Sequence, residues 1–232
     1  MSLFDCLTSK QPVAISIFSG AFRGATLVLD PAHSKRKILG LYEHILNPWL
    51  QDILPTVEVL WDVGANDGYF TYGCAHTMQK YQGCGYVVAF EPGLADQLGL
   101  MQPAEWLQYQ ATTFEFVPQF VGTSCDGQTV TLDQAWGDRP SLQAKRSLVK
   151  VDVEGAEVEV LQGAASLLQA PHHWVVEVHG DHLLEPVLQH FANAQRAVEV
   201  IPYRPHWLLG SEARTIKTSW IVTQPDSSKS IS

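Results

Sequence analysis

The sequence predicts an open α/β sheet, mostly parallel, with helices on both faces. One observation is a series of short, valine-rich, nearly continuous apolar runs, at residues 57–63, 86–90, 148–153 and 174–178. Strands buried on both faces have this pattern. The other observation is that helical segments separate the runs; in residues 156–169, apolar side chains recur at spacings of three and four. In such a sheet a ligand site is expected at the carboxyl ends of the strands.

The size and composition fit one large globular domain or two small ones. The chain has 232 residues, of which 46% are hydrophobic and 17% charged, and this balance excludes a disordered or fibrous chain. No run of 18 apolar residues occurs, so no membrane-spanning helix is expected. The first residues lack a basic segment followed by an apolar stretch, and we therefore expect a cytoplasmic protein.

Charge and cysteine content narrow the range of partners. The formal net charge is −9, which opposes binding to a nucleic-acid backbone. The basic triplet at residues 35–37 is interpreted as a solvated face. The four cysteines show neither a C-x-x-C pair nor a zinc-ligand spacing, so no disulfide framework or structural zinc site is predicted.

The N-terminal residues 1–56 are predicted to form an extension. Apolar segments at 14–18 and 26–29 flank a glycine-punctuated turn, which indicates a β-hairpin, and residues 41–54 are predicted to be helical around Pro48. Residues 57–224 are assigned to the main domain, with further strands near 197–201 and 220–223, the last an antiparallel edge. Residues 225–232 are expected to be a flexible tail.

The most informative stretch is W-D-V-G-A-N-D-G at residues 61–68, where a buried strand meets glycines and then a helix. Glycines there let the backbone approach a ligand. The stretch lacks the G-x-G-x-x-G fingerprint of dinucleotide sites. Asp62 and Asp67 would oppose a pyrophosphate and suit a cation such as S-adenosylmethionine. The alternative is a plain strand-to-helix turn in which Asp62 acts as a cap.

The next strand ends in Phe90-Glu91-Pro92. The distance along the chain from the glycine loop is close to the roughly 20 residues at which a ribose-binding acid is expected, and a carboxylate there can accept from both ribose hydroxyls. The alternative is that Glu91 is an acid at a helix start, before a proline in the first turn.

These motifs, followed in order by T-L-D at 131–133, K-V-D-V-E-G-A-E at 150–157 and V-E-V-H at 176–179, resemble the FkbM family of S-adenosylmethionine-dependent methyltransferases. The resemblance covers about residues 55–180. It implies a Rossmann-like class I methyltransferase fold with a seven-stranded sheet, and methylation of a hydroxyl on a sugar or small natural product. It also implies that the donor is held by Glu91 and by the loop residues Asp62, Gly64, Ala65, Asn66 and Gly68. For adenine contacts, Asp126 and Asp133 are the available candidates.

Ionisable side chains follow the later strands. Asp152 or Glu154 could take the acceptor proton, and His179 is a candidate general base that Glu177 or Asp152 would orient. Glu157 and Glu159 are interpreted as structural or surface residues near a helix start. A divalent metal site of Asp152, Glu177, His179 and Asp181 is the alternative. We favour the base and expect no metal.

The acceptor is expected to be a small molecule or carbohydrate. Aromatic residues that could contact it occur at 106–136 and in the loop 202–210. The N/D-P-P-Y motif of nitrogen methylation is missing after the fourth strand, which favours oxygen. Two other functions stay open at this point: an NAD(P)-dependent oxidoreductase on the same fold, and a binding module without catalysis.

Overall fold

The computed structural model describes residues 12–94, 98–206 and 218–224. Its main sheet has seven strands and is mostly parallel, with helices between the strands, which confirms the predicted Rossmann-like class I fold. The chain divides into two compact units, Met1–Pro118 and Gln119–Ser232. The predicted boundary at residue 56 does not separate these units, and the assignment of an extension and a methyltransferase domain stays a prediction. The predicted tail 225–232 and residues 207–210 of the predicted loop lie outside the described residues.

In unit 1, the strands β3, β4 and β5 lie side by side in this order and run parallel. Val63 of β3 lies opposite Phe90 of β4, which lies opposite Val117 of β5, so the three strands end at one edge. Its strands are β1 (Val13–Ser16), β2 (Thr26–Leu29), β3 (Val59–Val63), β4 (Gly85–Phe90) and β5 (Thr112–Val117). Its helices are α1 (Lys35–Leu39), α2 (Asn47–Ile53), α3 (Tyr69–Gln82) and α4 (Leu98–Met101), with 3-10 turns at His44–Leu46, Leu54–Thr56, Gln102–Glu105 and Leu107–Tyr109.

The N-terminal segment packs on α3 within this unit. Strands β1 and β2 pair antiparallel, as the glycine-punctuated turn predicts. The Phe22 ring meets the rings of Tyr69 and Phe70 edge-on, at centroid distances of 5.3 and 5.1 Å. Gly73 of α3 permits this packing, because a Cβ there would lie 2.3 Å from Phe22 Cγ. The hairpin therefore borders the start of α3.

Proline placement explains the form of the predicted 41–54 helix. A 3-10 turn at His44–Leu46 comes first, and α2 then begins with Pro48 in its first turn, where no backbone N–H is needed. The helix is therefore shorter than its apolar pattern predicts.

Unit 2 contributes the strand order β10-β11-β9-β8. Its strands are β6 (Phe120–Val121), β7 (Thr129–Val130), β8 (Ser147–Val151), β9 (His173–His179), β10 (Val198–Pro202) and β11 (Thr218–Thr223). Its helices are α5 (Leu132–Gly137), α6 (Pro140–Gln143), α7 (Glu157–Gln162) and α8 (Asp181–Asn193), with a 3-10 turn at Leu167–Gln169. Strands β8 and β9 run parallel, and β6 and β7 form a separate short pair.

The prediction of β11 as the edge strand is wrong. β11 runs antiparallel, as expected, but it pairs with β9 on one side and β10 on the other. Trp220, Ile221 and Val222 are at most 1% exposed, whereas β10 has no buried residue. The partly exposed strand β10, which ends in a proline, tolerates the edge, and the buried apolar strand takes the interior position.

No helix in the described ranges is long and apolar enough to cross a bilayer.

Candidate functional site

The glycine loop of unit 1 has left-handed backbone at three positions. The φ angles of Gly64, Asn66 and Gly68 are 81°, 47° and 83°. The N–H groups of Gly64 and Ala65 both donate to the carbonyl oxygen of Phe90, at 3.0 and 3.1 Å. The loop that leaves β3 is thus fastened to the end of β4. Glycine supplies this conformation at two positions without steric cost, whereas Asn66 is held in it by its contacts.

Glu91 is the contact that fixes Asn66. Its Oε2 accepts from the Asn66 N–H at 2.9 Å, and its Oε1 accepts from the Gly93 N–H at 2.9 Å. The side chain is half-buried. An ionised carboxylate has about four lone-pair sites, so after these two bonds Glu91 can still accept from two further donors. These two bonds orient the acid beside the loop.

Asp62 is a buried residue near the end of β3. The residue is 0% exposed, and its Oδ2 accepts from the Thr71 hydroxyl at 2.6 Å. The expectation of direct contact between this carboxylate and a donor is not supported by this burial. Because Thr71 lies in the first turn of α3, Asp62 links the end of β3 to the start of that helix.

Asp67 is neutralised by a cation from the N-terminal segment. Lys37 Nζ lies 2.5 Å from Asp67 Oδ2. The interpretation of residues 35–37 as a solvated face is wrong for Lys37, whose side chain is 18% exposed. With Asp62 buried and Asp67 paired, the loop is less acidic than its sequence indicates, and Glu91 is the carboxylate that remains for a ligand.

Three predicted catalytic residues meet in unit 2. Ligand-capable atoms of Asp152, Glu177 and His179 all lie within 4.8 Å of one another. The parallel register explains the meeting: Val151 of β8 lies opposite Val176 of β9, so the next residues, Asp152 and Glu177, are neighbours. Glu177 and His179 then share a face, because side chains alternate along a strand.

Glu157 is a partner of His179 that the sequence pattern does not predict. Its Oε1 lies 2.6 Å from His179 Nδ1 and also accepts from the Gly155 N–H at 3.0 Å. Glu157 is 0% exposed. Since an ionised carboxylate only accepts, Nδ1 carries the hydrogen and Nε2 is the basic atom of the neutral ring. The interpretation of Glu157 as a helix-start residue is incomplete, since it orients the predicted base.

The groups around His179 shift the pKa values of both His179 and Glu157. Burial alone would lower the pKa of His179, but its hydrogen bond to Glu157 and the nearby carboxylates Glu177 and Asp152 outweigh burial and raise it. Burial alone would raise the pKa of Glu157, but its bonds to His179 and to backbone amides lower it. The pair is therefore stabilised as imidazolium and carboxylate.

A buried lysine faces the same group. Lys150 is 3% exposed, and its Nζ lies 3.3 Å from Asp152 Oδ2. The other oxygen, Asp152 Oδ1, lies 3.7 Å from His179 Nε2. Two carboxylates and one imidazole could ligate a divalent cation, but Asp152 already faces two cationic side chains.

The two remaining residues of the predicted base and metal sets are not in this group. Glu154 is exposed and has a φ of 40°, and no described contact joins it to His179. Asp181 is exposed at the start of α8. Glu154 lies three residues past the end of β8 and Asp181 two residues past the end of β9, whereas Asp152 directly follows β8.

Both candidates for adenine contact, which stay predictions, accept hydrogen bonds from backbone amides of unit 2. Asp126 Oδ1 accepts from the N–H groups of Gln128 and Thr129, both at 2.8 Å. Asp133 accepts from the N–H groups of Ser166 and Leu167. Both are loop-fixing residues. The third parallel strand is β5, which ends in Val117 rather than in an acid.

The predicted aromatic contacts divide into core and surface. Tyr109 is fully buried, and its hydroxyl bonds to the backbone N–H and carbonyl of Thr26. Trp136 packs edge-on against His172. Phe120, in contrast, is 58% exposed and stays available as a predicted acceptor contact.

The chain is similar to a known protein family over part of its length. The family model described as the methyltransferase FkbM domain matches residues 100–196. The predicted resemblance to the FkbM family is confirmed. The matched range includes Lys150, Asp152, Glu157, Glu177 and His179.

A curated relative and two solved structures are also similar. The hexuronic acid methyltransferase AglP of Haloferax volcanii is 31% identical over 163 residues, which cover 62% of this chain and 65% of the relative. The chain thus spans just under two thirds of the length of that relative. The methyltransferase FkbM of Methylobacillus flagellatus KT is 14% identical with a TM-score of 0.48, covering 80% of this chain and 54% of that one. M. jannaschii TYW2, solved in complex with AdoMet, is 11% identical with a TM-score of 0.45, covering 93% and 86%.

Proposed function

We propose that this protein is an S-adenosylmethionine-dependent O-methyltransferase that acts on a hydroxyl of a carbohydrate or small natural product. The observation that carries the proposal is the bond between Glu91 and the Asn66 amide, which joins the end of β4 to the glycine loop after β3. A preformed loop with an oriented acid suits the ribose of a nucleoside ligand. The FkbM domain match over residues 100–196 supports methyl transfer as the reaction.

The residues of unit 1 fit the donor. The ribose hydroxyls would donate to the free lone pairs of Glu91. The backbone of Gly64, Ala65, Asn66 and Gly68 would take the amino-acid part, since glycine and left-handed φ allow close approach. A Cβ at Gly68 would lie 3.0 Å from both Leu100 Cδ1 and Tyr72 Cδ2, so this position has no room for a larger residue. Asp62 would act through Thr71 by holding the loop and α3 together. When bound, S-adenosylmethionine supplies an electrophilic methyl group.

The group in unit 2 supplies the proton acceptor. His179 Nε2 would take the proton of the acceptor hydroxyl, because Glu157 fixes Nδ1 as the protonated nitrogen. Asp152 and Glu177 would stabilise the imidazolium that forms, since both lie beside the ring. We assign Glu154, which is exposed, to contact with the acceptor. The hydroxyl oxygen would gain the methyl group from the donor, S-adenosylhomocysteine would be left as the product, and His179 would later release its proton to solvent.

A carbohydrate is the acceptor class we favour. The relative AglP is named for hexuronic acid methylation, and an alcohol oxygen benefits from a base whose pKa is raised. Nitrogen and thiol acceptors have less need of such a base.

Two measurements test the proposal. Calorimetric titration with S-adenosylmethionine, S-adenosylhomocysteine and NAD should give binding for the first two alone. A panel of hydroxylated sugars, including a hexuronic acid and its neutral hexose, should then accept label from methyl-labelled donor. Binding of NAD with no binding of either S-adenosyl ligand would refute the proposal, and methylation of amines alone would refute the hydroxyl acceptor.

A further inference from the structure

Lys37 lies far from the glycine loop in sequence but touches it in the fold. It belongs to α1, a five-residue helix of the N-terminal segment whose buried side chain is Ile38. Helix α1 ends at Gly40 in the left-handed conformation, and the N–H groups of Leu41 and Tyr42 return to the Arg36 carbonyl. This compact turn fixes both Lys37 and Tyr42 relative to one another.

The Lys37 ammonium is surrounded by two rings and one carboxylate. Its Nζ lies 4.9 Å from the ring centroid of Tyr42 and 5.7 Å from that of Tyr69. The two rings meet edge-on at 5.5 Å. Lys37 donates to Asp67 Oδ2 at 2.5 Å. The two aromatic rings and the acid hold the ammonium in a half-buried position, so the Lys37 side chain has little conformational freedom. Exposed ion pairs are weak partly because such freedom must be lost to form them, and this cost is smaller here.

Asp67 connects Lys37 to the glycine loop and to the start of α3. Its Oδ1 accepts from the Tyr69 N–H at 3.2 Å, while Oδ2 is held by Lys37. Asn66, the residue before it, has a left-handed φ and donates to Glu91. Two contacts thus fix adjacent residues of the loop. Glu91, which directly follows β4, accepts from Asn66, and Lys37 of α1 pairs with Asp67.

We propose that Lys37 is a positioning residue of the donor site, which holds the glycine loop through Asp67 in the conformation that binds the donor. This rests on the proposed function, because the loop is taken to bind S-adenosylmethionine. The role of the N-terminal segment is then to pre-organise that loop, and its effect falls on donor affinity rather than on the chemical step.

The experiment compares Lys37→Met, Lys37→Arg and the control Lys35→Met. Methionine keeps the apolar stem and removes the charge, arginine keeps the charge, and Lys35 is an exposed lysine on the same helix. Loss of a half-buried ion pair predicts about fivefold weaker S-adenosylhomocysteine binding in Lys37→Met. The donor KM should rise by a similar factor with kcat unchanged, Lys37→Arg should recover most of the affinity, and Lys35→Met should match wild type.

Hydrogen exchange separates failure of this inference from failure of the proposed function. In the ligand-free protein, amides at residues 66–69 should exchange faster in Lys37→Met than in wild type, and Asp67→Asn should show the same change with little added effect in the double variant. Unchanged exchange and unchanged donor affinity in folded Lys37→Met would overturn the inference. If wild type binds no S-adenosyl ligand, the proposed function fails, and the exchange rates at 66–69 alone decide whether Lys37 positions the loop.

Discussion

His179 Nδ1 lies 2.6 Å from Oε1 of Glu157, a carboxylate that is 0% exposed. The contact joins the end of β9 to the start of α7 and fixes which ring nitrogen carries the hydrogen. It also gives the opposite nitrogen, Nε2, a defined direction relative to Asp152. Because Nε2 can accept a proton only when the ring is neutral, activity should depend on the protonation state of His179.

The acid limb of the pH–activity profile should have its midpoint above 6.5, because the pKa of His179 is raised from 6.5. Below that midpoint the imidazole is protonated and cannot accept a proton. Glu157→Gln removes a charge that favours the imidazolium, so the limb should move to lower pH while kcat falls. The measurement is kcat/KM against pH for both proteins, with Glu159→Gln, an exposed acid on the same helix, as control. An unmoved limb in Glu157→Gln would show that another group is the base.

Removal of the Glu91 carboxylate should weaken binding of the donor. We expect Glu91→Ala to raise the Kd for S-adenosylhomocysteine tenfold or more, on the order of 1.4 kcal/mol. Calorimetry gives the Kd, and Glu105→Ala, an exposed acid of the same unit, serves as the control. Equal affinity in wild type and Glu91→Ala would place the ribose elsewhere.

The buried bond between Thr71 and Asp62 should contribute to stability. Thr71→Val keeps the shape and removes a donor to a carboxylate that is 0% exposed. A hydrogen bond to a charged group is worth about 1.5–3 kcal/mol, so the free energy of unfolding should fall by about that amount. Urea titration measures it, and Thr113→Val at an exposed position of β5 should change it little. A loss confined to donor affinity, with unchanged stability, would instead place Asp62 in direct contact with the ligand.

Chelation should not reduce activity. Asp152 faces the Lys150 ammonium at 3.3 Å and His179 Nε2 at 3.7 Å, and a divalent cation would have to compete with both. We expect equal turnover before and after dialysis against EDTA. A loss that Mg²⁺ or Mn²⁺ restores, and that Asp152→Asn abolishes, would support the metal site of Asp152, Glu177 and His179.

Local sequence patterns were sufficient to predict the main strands and several residues at their ends. Apolar valine-rich runs predicted the strands β3, β4, β8 and β9, because a strand buried on both faces leaves a signal in every residue of a short window. The position of Glu91 after β4 was likewise readable, since parallel strands end at one edge. The juxtaposition of Glu177 and His179 on one face followed from the alternation of side chains along β9.

Tertiary structure decided which ionisable side chains pair with one another. Lys37 and Asp67 are 30 residues apart, and Glu157 and His179 are 22 apart; no local period relates either pair. Asp62 and Asp67 have the same charge in the sequence, yet Asp62 is buried and Asp67 is paired with Lys37. A carboxylate's partners depend on long-range packing, and they determine whether it binds a ligand, orients a base or holds a helix.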